Sequence, residues 1–235
     1  TQRKIVRAFL KIDQWLGDPL RNWLKVRQKH NFKEQGQYHR LRLSEPDEDE
    51  LNFLVNFSAI HLVFAFPFWE VFEDYLNFDE KVSPTEKHRF MRFYRRCMQR
   101  TLFIYGQDKH YLSKTPFNSG RVRTLCDYFS DAKFIYTTRN PLKVFPSTMS
   151  LFSFQCGLFS DLLEPYPFGD QVLEITRRWY SQLLTFLEEN AEVCTIVRFR
   201  DLVNDLSWTI YATYNALGFE ISSVYQHALQ IEVEK

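Results

Sequence analysis

Three short segments carry side chains whose types and spacing suit anion chemistry. Thr138-Arg139-Asn140-Pro141 closes a β-branched and aromatic run from Lys133 to Thr138, and Ser147 follows eight positions after Arg139. Arginine offers an anion a planar fork of N–H donors, and serine adds one hydroxyl donor. Pro141 and Leu142 open a helix, so Ser147 sits about two turns in, on a face that Arg139 can share. The start of that helix adds backbone N–H groups and a favourable dipole. Together these describe a site for a phosphate monoester. A local salt bridge at the strand end and an incidental helix serine are the plainer readings of the same residues. The second segment is Lys114-Thr115-Pro116, which closes the short strand candidate Tyr111-Leu112-Ser113. The third is the acidic run Ser44-Glu45-Pro46-Asp47-Glu48-Asp49-Glu50, whose charge suits a helix start.

Ligands of parallel α/β sheets bind beyond the carboxyl ends of the strands, beside helix N-termini. The elements around these segments read in that way. Val122, Leu125, Cys126 and Phe129 mark a helix, Lys133 to Thr138 a strand, Pro141 onward a helix, 170–190 a helix, Val193 to Phe199 a strand and 203–217 a helix. That order implies parallel strands joined by crossovers, hence an α/β C-terminal half. The N-terminal half reads as largely helical. Ile5, Phe9, Ile12 and Leu16 recur at helical spacing before Gly17, a second helix starts at Asp18-Pro19, and 28–50 is a polar connector. Leu51 to Trp69 reads as a buried helix, with an acceptor-pocket or membrane-surface wall as the sharper alternative. Asn52, Asn56, Ser58, His61 and Pro67 interrupt it too often for a bilayer span. Ser83-Pro84-Thr85-Glu86 predicts a capped helix that buries Phe90, Phe93, Tyr94, Cys97, Met98 and Thr101. The arginines at 89, 92, 95, 96 and 100 form its solvated face. No repeat or linker divides the chain, so 1–235 reads as one domain.

Composition limits the alternatives. Lys and Arg number 30 against 29 acidic residues, a net charge of +1, so no global field draws the chain to nucleic acid or membrane. Its seven glycines lie at least twelve positions apart, which excludes a Walker-type loop and a Rossmann fingerprint. Four scattered cysteines and a start without a signal peptide point to a reducing, cytoplasmic compartment. The six histidines lack ligand spacing, so no metal site is expected.

The segment 111–150, YLSKTPFNSGRVRTLCDYFSDAKFIYTTRNPLKVFPSTMS, resembles the sulfotransferase superfamily, whose donor is 3′-phosphoadenosine 5′-phosphosulfate (PAPS). Phe129-Ser130-Asp131-Ala132-Lys133-Phe134-Ile135 is similar to the family's F-P-D-A-K-F-I, with Ser130 in place of Pro. Arg139 and Ser147 match its 3′-phosphate-binding pair, within a segment that also holds Thr138 and Asn140. Glu45 to Glu50 resembles the E-P-E-E-D-E run of bacterial-type members, and Val197 to Asp205 resembles V-R-Y-E-D-L-V-x-D-P. The likeness covers roughly residues 30 to 220. Phe199 stands where the family has Tyr, losing a hydroxyl near the nucleotide, and Arg200 stands where it has Glu. The R-S-G-T-T phosphosulfate loop expected upstream of Glu45 is missing, as is the C-terminal R-K-G-x-x-G-D-W segment. With Thr1 in place of Met, this suggests a fragment whose loop lies before Thr1.

The resemblance implies a P-loop-NTPase-like parallel sheet flanked by helices. It also implies transfer of a sulfuryl group from PAPS to a hydroxyl or amine of a small-molecule, carbohydrate or lipid acceptor, leaving PAP, the desulfated nucleotide. By family position Lys114 supplies the cation at the leaving group, and Glu48 or Glu45 the general base, with His61 and His110 as alternatives. A second reading is a non-catalytic nucleotide-binding or interaction module that has lost the loop. A third, a small-molecule kinase, leaves the Arg139–Ser147 spacing unexplained.

Overall fold

The computed structural model of the chain describes residues 12, 15, 16, 19, 48–66, 68–157, 159 and 168–234. The chain falls into two compact units, one of Thr1–Leu62 with His88–Pro116 and one of Val63–Lys87 with Phe117–Lys235. Most of the helices expected over 1–16 and from Asp18, the connector from 28 to 47, and Glu45 lie outside the described residues. At the end of the first of these helices the Leu16 N–H donates to the Ile12 carbonyl at 2.9 Å.

In the first unit a 3-10 helix runs over Asp49–Asn56 and ends at Phe57, whose φ of 57° is left-handed. Leu51 to Trp69 is therefore not one helix, and the next helices are Leu62–Ala65 and Trp69–Leu76. The polar residues flagged along this run supply the reason. The Ser58 hydroxyl donates to Asn56 Oδ1 at 2.6 Å, and the Ser58 N–H turns back to the Phe53 carbonyl at 3.1 Å. Such local bonds compete with helix propagation. Glu50 is fully buried, and its Oε1 accepts the Ile60 N–H at 2.8 Å, closing the turn. Phe53 stacks on Phe90 with ring centroids 4.1 Å apart and tilts against Tyr94 at 5.5 Å.

Phe90 and Tyr94 belong to the helix Pro84–Tyr105, which the Ser-Pro-Thr-Glu signal placed. The Glu86 N–H donates to Ser83 Oγ at 3.3 Å, and that hydroxyl donates to Glu86 Oε2 at 3.1 Å. Phe90, Met91, Tyr94 and Cys97 form its buried face. All five arginines of the opposite face are exposed, as a solvated row should be. Tyr111-Leu112-Ser113 is not a strand, which corrects the expectation; the segment 110–115 is irregular.

The second unit holds the sheet. β1 (Phe134–Thr138) pairs with β2 (Cys194–Arg198) in parallel, from Phe134 against Cys194 to Thr138 against Arg198. The crossover carries the helices Pro141–Gly157 and Gly169–Glu189. This is the expected α/β arrangement, and among the described residues everything before β1 is helix, turn or irregular. Phe186 anchors the core beneath the sheet. It packs with Val122 and Cys194 and meets Phe134 edge-on at 5.3 Å. The helix expected over 203–217 arrives as two, Phe199–Asn204 and Leu206–Ala216. The extended Asp205 between them caps the second through the Trp208 N–H at 2.8 Å.

Gly120 sits at a close backbone approach in this unit. A Cβ there would lie 2.1 Å from the Leu76 carbonyl oxygen, which already accepts the Trp179 indole N–H at 3.0 Å. Gly120→Ala is expected to destabilise the protein by about 2–3 kcal/mol, since backbone has to move to admit the methyl. Urea denaturation reads this directly, and an unchanged midpoint would show that the 3-10 helix Pro116–Arg121 yields freely.

No helix among the described residues is long and apolar enough to cross a membrane.

Candidate functional site

The parallel register places the residues after Thr138 and Arg198 side by side at the carboxyl ends of the strands. Those residues are Arg139 and Phe199. The Arg139 Cζ lies over the Phe199 ring, 4.6 Å from its centroid. The Tyr180 hydroxyl, from the helix Gly169–Glu189, donates to the Arg139 carbonyl at 2.9 Å.

Asn140 caps the next helix. Its Oδ1 accepts the Leu142 N–H at 2.9 Å, and its carbonyl accepts the N–H groups of Lys143 and Val144 at 2.9 and 3.1 Å. Pro141 then fills the first helical position, where a missing N–H costs nothing. Ser147 sits exposed in the second turn. The preceding residue, Pro146, lies inside the helix and has no N–H for the Leu142 carbonyl. Thr138, Arg139 and Asn140 thus share one strand end, and Ser147 follows on the helix that Asn140 starts. An arginine fork beside a helix N-terminus is a donor set that suits a phosphate dianion.

The first unit holds the other sequence candidates. Lys114 Nζ and Glu48 Oε1 form an ion pair, and the Thr115 hydroxyl donates to Glu48 Oε2 at 3.3 Å. The structure therefore joins the Lys-Thr-Pro segment to the acidic run. Beside them, Asp49 Oδ1 accepts the Tyr111 hydroxyl at 2.8 Å and its Oδ2 accepts the Tyr94 hydroxyl. Ser113 Oγ lies 3.0 Å from the Tyr94 oxygen. Tyr94 has given its one proton to Asp49, so Ser113 is the donor there. Burial holds both phenols well above their ordinary range, and the Asp49 carboxylate pushes them further up.

The sequence does not mark Asp49, Tyr94 and Tyr111 as a cluster, nor the Phe199 ring as a partner of Arg139. One signal was available. In an extended segment Tyr111 and Ser113 face the same side, and both side chains reach the Asp49–Tyr94 pair. Of the histidines, His61 is half-buried and His110 exposed. Among the described residues no cluster of His, Cys, Asp or Glu is arranged to hold a metal ion. All four cysteines are described, and none forms a disulfide.

The protein family described as "Sulfotransferase family" matches residues 18–223. Two curated relatives, one from Mycobacterium bovis and one from Mycobacterium tuberculosis, both carry the name omega-hydroxy-beta-dihydromenaquinone-9 sulfotransferase Stf3. Each is 30% identical over 185 residues, which are 76% of this chain and 46% of the relative. The chain thus spans about half the length of these curated relatives. No solved structure gives a significant match.

Proposed function

The chain belongs to the sulfotransferase family, and from that premise we propose that it moves a sulfuryl group from PAPS to a hydroxyl or amine, with Arg139 and Ser147 holding the 3′-phosphate. The observation that carries this reading is the Arg139 guanidinium at the end of β1, seated over Phe199 beside a capped helix N-terminus. The family match covers residues 18–223, which supports reading 1–235 as one sulfotransferase-like domain.

PAPS, when bound, supplies the sulfuryl group and a phosphate leaving group. The chain's own residues then have two tasks. A cation must meet the charge that develops on the leaving oxygen, and a carboxylate must take the acceptor's proton. Lys114 suits the first and Glu48 the second, and their ion pair keeps both charges within one contact. Glu45 remains a second candidate base. Thr138 and Asn140 act through the backbone and cap that aim Arg139 and the helix. The acceptor we favour is a hydroxylated lipid, because the relatives' name specifies an omega-hydroxy menaquinone derivative. Four cysteines without a disulfide fit the cytoplasm.

Titration calorimetry with PAP tests the nucleotide assignment. Arg139→Ala is expected to weaken binding about 10- to 100-fold, the range for hydrogen bonds to a charged group, and Ser147→Ala to weaken it less. If both variants bind PAP as the wild type does, the 3′-phosphate assignment is wrong. Binding without transfer is the second reading. The Glu48–Lys114 pair favours it, because the ammonium is already engaged by a carboxylate. Undiminished PAP affinity with no release of sulfuryl from PAPS selects that reading.

A further inference from the structure

We propose that Phe199 and Tyr180 are positioning residues that preorganise Arg139, so that they set how strongly the chain prefers 3′-phosphorylated over unphosphorylated adenine nucleotides. This rests on the role given to Arg139 above, and the test separates the two.

Arg139 is exposed, and an exposed arginine samples many rotamers that an arriving anion must freeze. Here the residue is held at both of its ends. Its carbonyl accepts the Tyr180 hydroxyl at 2.9 Å, and its guanidinium sits over the Phe199 ring at 4.6 Å. The next residue, Asn140, is fixed by its bond to the Leu142 N–H. Backbone and charged head are thus both placed before any ligand arrives, which lowers the ordering cost of binding.

The contact suits this task. A cation over an aromatic face is held by the ring quadrupole and needs none of its N–H donors, so the fork stays directed to an anion. Core packing does not account for the ring, which is 41% exposed. Register does account for it. Thr138 opposite Arg198 brings the next residue of each strand together. No hydroxyl at position 199 takes part, so phenylalanine performs the role as well as tyrosine would.

The test compares the Kd of PAP with that of adenosine 5′-monophosphate by calorimetry. Their ratio reports the contribution of the 3′-phosphate alone. Phe199→Leu keeps apolar bulk and removes the quadrupole. It is expected to reduce that ratio about two- to fivefold, the worth of an exposed cation–π contact, by weakening PAP binding more than monophosphate binding. Phe199→Tyr should restore the ratio. Tyr180→Phe, which loses one hydroxyl and no packing, should reduce it in the same direction and covers the case in which Phe199→Leu fails to fold. A wild-type ratio in Phe199→Leu and Tyr180→Phe, with the ratio abolished in Arg139→Ala, overturns the positioning role and leaves the Arg139 assignment standing. An equal loss for both nucleotides in Phe199→Leu also overturns it. A wild-type ratio in Arg139→Ala overturns the underlying assignment, and the positioning role falls with it.

Discussion

Phe186→Ala is expected to cost about 3–5 kcal/mol of stability, the usual penalty for emptying a buried phenylalanine site. Phe186 is 1% exposed and lies against Val122, Cys194 and Phe134, so it touches both strands of the sheet and the helix before β1. Its own helix, Gly169–Glu189, also supplies Tyr180 to the Arg139 carbonyl. The cavity therefore loosens the helix that braces the site as well as the sheet that presents it. Urea denaturation at unchanged m value measures the loss. A shift below about 1 kcal/mol would mean that neighbouring side chains collapse into the space.

Alkaline pH should bring a second large effect. Tyr94 in the first unit and Tyr136 in the second both sit well above the ordinary phenol value of 10.0. Burial is the main cause in each. The Asp49 carboxylate adds to it for Tyr94, and the neighbouring Cys194 adds to it for Tyr136. Below pH 10 both tyrosines are protonated in the folded and unfolded chain, and their contribution is fully present. Above it the unfolded chain releases protons that the native fold retains, so stability falls as pH rises. Each such tyrosine contributes a slope of about 1.4 kcal/mol per pH unit. Urea midpoints at about pH 9 and about pH 11 show the drop, and Tyr94→Phe and Tyr136→Phe should each flatten it. Slopes identical to wild type in both variants would assign the alkaline loss to other groups.

What could be read from the sequence was what neighbouring residues decide. The Ser83 cap depends on residues three positions apart, and β1 and β2 on runs of β-branched and aromatic side chains; all stand where they were placed. Tyr111–Ser113 carried the same strand-like composition but has no ladder partner among the described residues. Its order comes from side chains, Tyr111 on Asp49 and Lys114 on Glu48, across more than sixty residues of chain. Spacing alone does not register such pairings. The site divides in the same way. Arg139, Asn140 and Ser147 were visible as a local motif, whereas the Phe199 ring under Arg139 depends on the strand register. In sequence Phe199 registered only as a tyrosine lacking its hydroxyl. In the fold its ring is the part in contact.

The register has a further consequence during synthesis. Phe134 pairs with Cys194, sixty positions later, with the helices Pro141–Gly157 and Gly169–Glu189 between them. Contacts of that separation form late, because the intervening chain must be closed first. On the ribosome, β1 and the Arg139 loop emerge long before their partner strand has been made. Arg139 meets Phe199 only after the whole crossover has left the exit tunnel. The Arg139 end of the sheet is therefore among the last parts of the second unit to mature. Until then β1 lacks its ladder with β2, and unpaired strand edges are the kind of surface that chaperones protect in nascent chains.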